Sequence, residues 1–287
     1  MNPSHGSVES IQVEAKIEAG LTLPGRVWIS DRPRALIGLA HGLGEHSGRY
    51  AALAGDLVHA GYSVAAVDWP GHGQAAGRRG DLPSWTWLRD RCVPALFTLA
   101  GGLPHQPDAV PHVLFGHSMG GLLALDYALT HPETLLAVAV SAPALRSETP
   151  PLWKRALAQV ARVAAPSIGF SSGIPSAGLS RDPEVVRTRD EDVLVHDMIS
   201  PRLYYGLAAS RERVLHEAGR LAIPALVMQG TGDRIVDPAG TRDFCAAAPG
   251  RLVTRFVYEG AYHEIFNDVG REACLKDLLD WLSRVVS

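Results

Sequence analysis

Seven short apolar runs, at 27–30, 35–40, 63–68, 112–115, 137–140, 225–229 and 255–258, punctuate the chain. Each is of strand length and rich in β-branched or small residues. Between them, segments 50–59, 88–99, 120–130, 241–247 and 272–286 repeat their apolar positions at helical spacing. Regular alternation of strand and helix predicts a mostly parallel central sheet with helices on both faces. The alternation stops between Leu145 and Arg220, where Pro150, Pro151, Pro166, Pro175, Pro183 and Pro201 separate helical fragments without a convincing strand. The pattern therefore predicts a core built from 1–145 and 222–287, interrupted by a helical insertion over 146–221. Within the insertion Leu152, Trp153, Ala156, Leu157, Val160 and Ala164 form an apolar stripe, with Lys154, Arg155, Gln159 and Arg162 elsewhere on the wheel. We expect that stripe to pack onto the rest of the insertion; the sharper alternative is a lid that touches lipid.

Composition narrows the class. With 46% hydrophobic and 20% charged residues, the 287-residue chain can bury a sizeable core. The 27 basic and 30 acidic residues leave a formal charge of −3 with no basic run, which argues against a nucleic-acid partner. Cys92, Cys245 and Cys274 are scattered, so neither a disulfide framework nor a cysteine metal site is expected. Residues 1–16 lack the apolar stretch of a signal peptide, and the longest apolar run, 135–140, is too short to span a bilayer. These features predict a cytoplasmic protein, its membrane contact limited to the periphery through the lid.

The pattern Gly-x-Ser-x-Gly marks a sharp strand-to-helix turn that lifts a serine hydroxyl above a sheet edge. It occurs twice, as Gly116-His117-Ser118-Met119-Gly120 and as Gly169-Phe170-Ser171-Ser172-Gly173. Only the first has a strand-like run before it and a helix-like run after it; the second lies in loop-like composition. Ser118 is the candidate nucleophile. A serine hydroxyl needs an imidazole to take its proton and a carboxylate to orient that imidazole. On such sheets the chain order is Ser, acid, His. Asp233 follows the run 225–229 in a glycine-bounded loop; Asp237, beside Pro238 at a helix start, reads better as a cap. His263 follows the last strand-like run. Two backbone N–H groups should hold the oxyanion, one from Met119 and one from Leu43 in the His41-Gly42-Leu43-Gly44 loop. The remaining histidines show no converging ligand spacing, so no metal and no cofactor are expected.

His41-Gly42-Leu43-Gly44-Glu45-His46-Ser47-Gly48-Arg49-Tyr50, Gly71-His72-Gly73-Gln74, Gly116 to Gly121 and Tyr258 to Glu264 closely resemble monoacylglycerol lipases, a branch of the α/β-hydrolases. The resemblance covers nearly the whole chain and reaches the insertion at 180–186 and 194–197. It implies an α/β-hydrolase fold and an esterase that cleaves a single fatty acyl chain from glycerol, with an apolar tunnel under the lid. It further implies that the glycerol end lies near Glu45, Arg49 and His117. Arg189 stands where the family often carries a tyrosine, and Ala75 ends a pattern that usually ends in serine. Two other readings keep the same residues: a carboxylesterase, lysophospholipase or thioesterase on another acyl substrate, and a ligand sensor with negligible turnover.

Overall fold

The computed structural model describes residues 8–99, 110–147 and 159–287. One eight-stranded sheet runs in the order β1-β2-β4-β3-β5-β6-β9-β10. Its strands are β1 (Ile11–Glu18), β2 (Leu21–Trp28), β3 (Leu36–Ala40), β4 (Ser63–Val67), β5 (His112–His117), β6 (Ala137–Ser141), β9 (Ala225–Gly230) and β10 (Val253–Tyr258). β1 and β2 pair antiparallel, and β2 meets β4 antiparallel; every later pairing is parallel. β3, β4, β6 and β9 are buried along their whole length, which is why they read as continuous apolar runs. β1 adds a strand beyond the seven runs. It carries its signal in strict alternation, Ile11, Val13, Ala15 and Ile17 against polar neighbours, and its exposed charges suit a sheet edge.

The helices are α1 (Ala51–His59), α2 (Trp85–Trp87), α3 (Val93–Thr98), α4 (Met119–Thr130), α5 (Pro183–Glu191), α6 (Pro201–Glu217), α7 (Pro238–Ala247) and α8 (Arg271–Val285). Alternate strand residues feed two cores. Leu36, Leu114 and Val227 pack with Leu96 of α3, Leu122 of α4, Leu203 of α6 and Phe244 of α7. Ile37, Val113, Phe115 and Met228 pack on the other face with Leu57 of α1 and Trp281 of α8. The predicted helix over 88–99 begins earlier, at Trp85, and contains a wide π turn over Leu88–Cys92. That turn precedes Pro94, which has no N–H to continue the regular ladder.

Between β6 and β9 the chain departs from simple alternation. Contrary to the expectation of no strand there, β7 (Phe170–Ser171) and β8 (Met198–Ile199) form a two-residue antiparallel ribbon. Such short pairing is too brief for side-chain alternation to register in sequence. α6 packs along α4 and joins the core through Leu203, Leu207 and Val214. Leu152, Trp153, Ala156 and Leu157 of the amphipathic stripe lie outside the described residues. Its other members, Val160 and Ala164, face solvent, while Ala161 is buried.

Candidate active site

The parallel strands β5, β6, β9 and β10 are neighbours, so the loops past their carboxyl ends meet along one sheet edge. Ser118 sits between β5 and α4 with φ +54° and ψ −117°, a left-handed conformation that L-residues avoid unless the surroundings hold them there. Its backbone is held on both sides: its N–H donates to the Ser141 carbonyl at 3.0 Å, and its own carbonyl accepts from Leu122 and Ala144 at 3.0 and 2.9 Å. A side chain at Gly116 would strike the Gly120 carbonyl, and one at Gly120 would strike the carbonyls of Ala40 and His41. The pattern's glycines are thus the places where two chain segments touch.

Asp233 and His263 come together from loops 30 residues apart: His263 Nδ1–H donates to Asp233 Oδ2 at 2.8 Å, and both side chains are at most 2% exposed. Asp233 Oδ2 also accepts from Gln229 Nε2 at 2.8 Å, and Oδ1 accepts from the Ile235 and Val236 N–H groups at 2.9 and 3.0 Å. Burial alone would raise the Asp233 pKa; the His263 ring and these N–H donors outweigh it and hold the carboxyl below its usual range. Thr241 fixes the orientation of Gln229 through a 2.9 Å bond to its carbonyl. Asp237 instead caps α7, accepting from the Ala239 N–H at 2.8 Å.

The loop after β3 is braced from below. Glu45 Oε1 accepts from the Gly42 N–H at 2.5 Å and from the Tyr50 hydroxyl at 2.6 Å. Arg49 Nη2 grips both oxygens of Glu264 at 2.9 and 2.7 Å, and its Nε lies 3.5 Å from Glu45. Glu45, Arg49, His117, Arg189, Leu43, Ser118 and His263 all line one small cavity of about 40 Å³. There the His117 ring lies 4.7 Å from the His263 ring, with its Nδ1 2.8 Å from Ser141 Oγ. Burial and the neighbouring His263 push the His117 pKa down to about 4. Arg189 Nη1 bonds Asp190 at 3.1 Å and stays mostly buried.

A second, larger cavity of about 270 Å³ opens from Ser118 and Met119 and is walled mainly by Ile174, Ile199, Leu207, Ile235 and Val236. Met119 opens α4, so its N–H has no carbonyl one turn back within the helix. Segments of the chain between β6 and β9 are tied to the site. The His196 N–H donates to the Gly44 carbonyl at 2.9 Å, His46 Nε2–H donates to Asp192 at 2.8 Å, and Arg181 pairs with Asp268 at 2.9 Å. Asp268 also accepts from the Tyr262 N–H beside His263 at 2.8 Å.

Every residue selected from sequence therefore falls in or against one region, Asp233 and Met119 included. Ser171, in the second copy of the pattern, bonds Asp197 at 2.5 Å across the small ribbon instead. Sequence reasoning gave no role to Glu264, Tyr50 or Gln229. Glu264 adjoins His263 and Tyr50 closes the loop motif, but the partners of both become visible only on folding.

A mostly parallel sheet of this order, with an elbow serine past β5 and a buried Asp–His pair past β9 and β10, defines an α/β-hydrolase. The chain belongs to the Hydrolase_4 family, described as serine aminopeptidase S33, whose model matches residues 31–270. It is 34% identical over 273 residues to a monoacylglycerol lipase of Mycolicibacterium smegmatis, covering 92% of this chain and 93% of the relative. The phospholipase YtpA of Bacillus subtilis is 31% identical, covering 87% of this chain and 95% of the relative. The crystal structure of a Paleococcus ferrophilus monoacylglycerol lipase superposes with a TM-score of 0.84 at 36% identity, over 92% of this chain and 100% of that one. No helix among the described residues is long and apolar enough to cross a membrane.

Proposed function

We propose that this protein is a serine carboxylic ester hydrolase that frees a fatty acid from monoacylglycerol-like esters through an acyl-enzyme. The observation that carries the reading is the buried 2.8 Å pair of Asp233 and His263, with the elbow serine opening on a largely aliphatic cavity. Ser118 Oγ attacks the ester carbonyl as His263 takes its proton, and Asp233 holds the Nδ1–H tautomer and stabilises the imidazolium. The N–H groups of Met119 and Leu43 receive the oxyanion, and Glu45 keeps the Leu43 peptide in place by gripping the Gly42 N–H. His263 returns the proton to the departing alcohol, and water repeats the cycle to release the acid. The 270 Å³ cavity and the polar cavity at Glu45, Arg49, His117 and Arg189, both reached from Ser118, take the two ends of the ester.

The family's aminopeptidase description raises a peptide reading, which would need a free carboxylate to hold a substrate ammonium. The carboxylates of the polar cavity, Glu45 and Glu264, are both engaged by Arg49. The relatives named as lipases favour the ester. Residues 146–221 act as a cap on this reading, and Val160, Val163 and Val193, at 66, 82 and 90% exposure, give it apolar contacts for a lipid surface.

Purified protein assayed on monoacylglycerols and p-nitrophenyl esters of graded length, with Ser118→Ala as the blank, tests the proposal. The expected result is hydrolysis of monoacylglycerols that falls at least about a thousandfold in the variant while the fold is retained. Turnover that survives Ser118→Ala, or activity on aminoacyl amides alone, overturns it.

A further inference from the structure

Tyr204, Leu207, Ala208 and Arg211 of α6 line the larger cavity together, at the spacing of one helical face. Where such a stripe ordinarily ends in an aliphatic side chain, this one ends in a guanidinium. Arg211 is half-buried; its Nε donates to the Ala144 carbonyl at 2.8 Å and its Nη1 to Ser147 Oγ at 3.0 Å. Both acceptors are neutral. Several partly buried arginines of the fold meet a carboxylate, as Arg49 does at Glu264, Arg202 at Asp81, Arg213 at Glu217 and Arg271 at Asp56. Among the described residues Arg211 meets none. Burial lowers its pKa, opposed among the described residues by the Tyr204 phenol.

The cavity repeats the imbalance. Arg234 also lines it, stacked over the Tyr262 ring at 5.0 Å, and the described lining contains no Asp or Glu. A pocket for an alkyl chain alone gains nothing from a cation that keeps its charge in water-poor surroundings. With two of its five N–H groups used, Arg211 retains donors for a planar or tetrahedral oxyanion.

We propose that the cavity beside Ser118 binds an anionic oxygen group carried by its ester substrate, a carboxylate or a phosphate, at Arg211, with Arg234 as the flanking charge. This inference rests on the ester-hydrolase reading and narrows its substrate class to esters with a negatively charged end. In a half-ester of a dicarboxylic acid the charge ends the acyl group; in a lysophosphatidic acid it belongs to the alcohol. Leu207, Ile199, Ile235 and Val236 cover the methylenes between the reacting carbonyl and that charge.

Calorimetry on the Ser118→Ala protein, which holds esters without cleaving them, separates the possibilities. One arm compares the monomethyl ester of a dicarboxylic acid with a neutral methyl ester of equal length; the other compares a lysophosphatidic acid with the matching monoacylglycerol. The anionic member of at least one arm should bind about 10- to 100-fold more tightly. The preference should shrink with added salt and vanish in the Ser118→Ala/Arg211→Met double variant. The arm that shows it identifies the end of the ester that lies in the cavity. Equal binding within both arms overturns the inference using the Arg211-containing protein alone, so a folding defect in the double variant cannot shield it. A preference that persists in a folded double variant overturns it equally. Ser118-dependent turnover of any ester, neutral or anionic, by the unmodified protein is a separate readout: its absence defeats the ester-hydrolase reading, whereas charge-blind binding defeats this inference only.

Discussion

Gly120 and Gly173 occupy the same place in two copies of one five-residue pattern, and their surroundings separate them. A methyl group at Gly120 would collide with the backbone carbonyls of Ala40 and His41, whereas at Gly173 nothing lies within 4 Å and only its φ of +71° resists a side chain. Gly120→Ala is therefore expected to cost more than about 3 kcal/mol or to prevent folding, and Gly173→Ala only about 1–2 kcal/mol. Urea denaturation of the two variants checks the contrast; comparable losses would contradict the account of the elbow. Ser118, Asp233 and His263 were legible because each stands beside a strand signal and a glycine turn. Glu264 and Gln229 were not. The Arg49–Glu264 pair joins residues 215 apart, and a glutamine inside an apolar run gives no hint that its amide will meet an aspartate past the strand end.

At the scale of elements, the helix behind the proposed nucleophile is fastened by a buried acid. Asp126, 1% exposed in the apolar α4, accepts from Trp85 Nε1 at 2.5 Å and Ser210 Oγ at 2.8 Å, and pairs with Arg213. It thereby joins α4 to both α2 and α6. Asp126→Ala takes the acceptor from the Trp85 N–H and the Ser210 hydroxyl and leaves Arg213 with Glu217 as its carboxylate, so a loss of about 2–4 kcal/mol in urea midpoint analysis is expected. A loss below about 1 kcal/mol would show that apolar packing alone holds these helices. An aspartate within Gly-Leu-Leu-Ala-Leu-Asp-Tyr is visible in sequence as an exception, but its partners are not, since they belong to other helices. The central strands were legible because burial on both faces leaves an unbroken apolar run. β1 was missed although its alternation was present, because charged residues fill its exposed face. The two-residue ribbon of β7 and β8 owes its existence to tertiary placement and has no pattern to read.

For the molecule as a whole, histidines kept neutral by burial set how stability follows pH, among them His41, His72, His117 and the partly buried His196. The His41, His72 and His196 rings lie in a row, tilted by 52° and 50° with centres 5.4 and 4.9 Å apart, and His117 lies apart beside His263. Burial lowers all four pKa values from the usual 6.5, those of His117 and His196 to about 4. Neighbouring groups of both signs, Asp68 and Glu45 near His41 and Arg79 near His72 and His196, leave burial dominant. As pH falls below 6.5 the unfolded chain takes up protons that the folded protein refuses. The contribution is thus complete above pH 6.5 and declines toward pH 4, by about 1.4 kcal/mol per pH unit for each proton. Urea stability measured at intervals across this window should fall steadily, and His72→Asn should flatten the slope; a flat profile would contradict the burial assignment. The lowered carboxyls of Asp68, Asp233 and Asp268 act in a separate window, lost only below the usual 3.8. Ser118, Asp233 and His263 ride on three different strands, and they converge only when β5, β9 and β10 stand in one sheet. On the proposed role of Ser118, a fluorophosphonate that labels it would consequently act as a census of the preparation, since a half-assembled chain offers it no activated hydroxyl and goes uncounted.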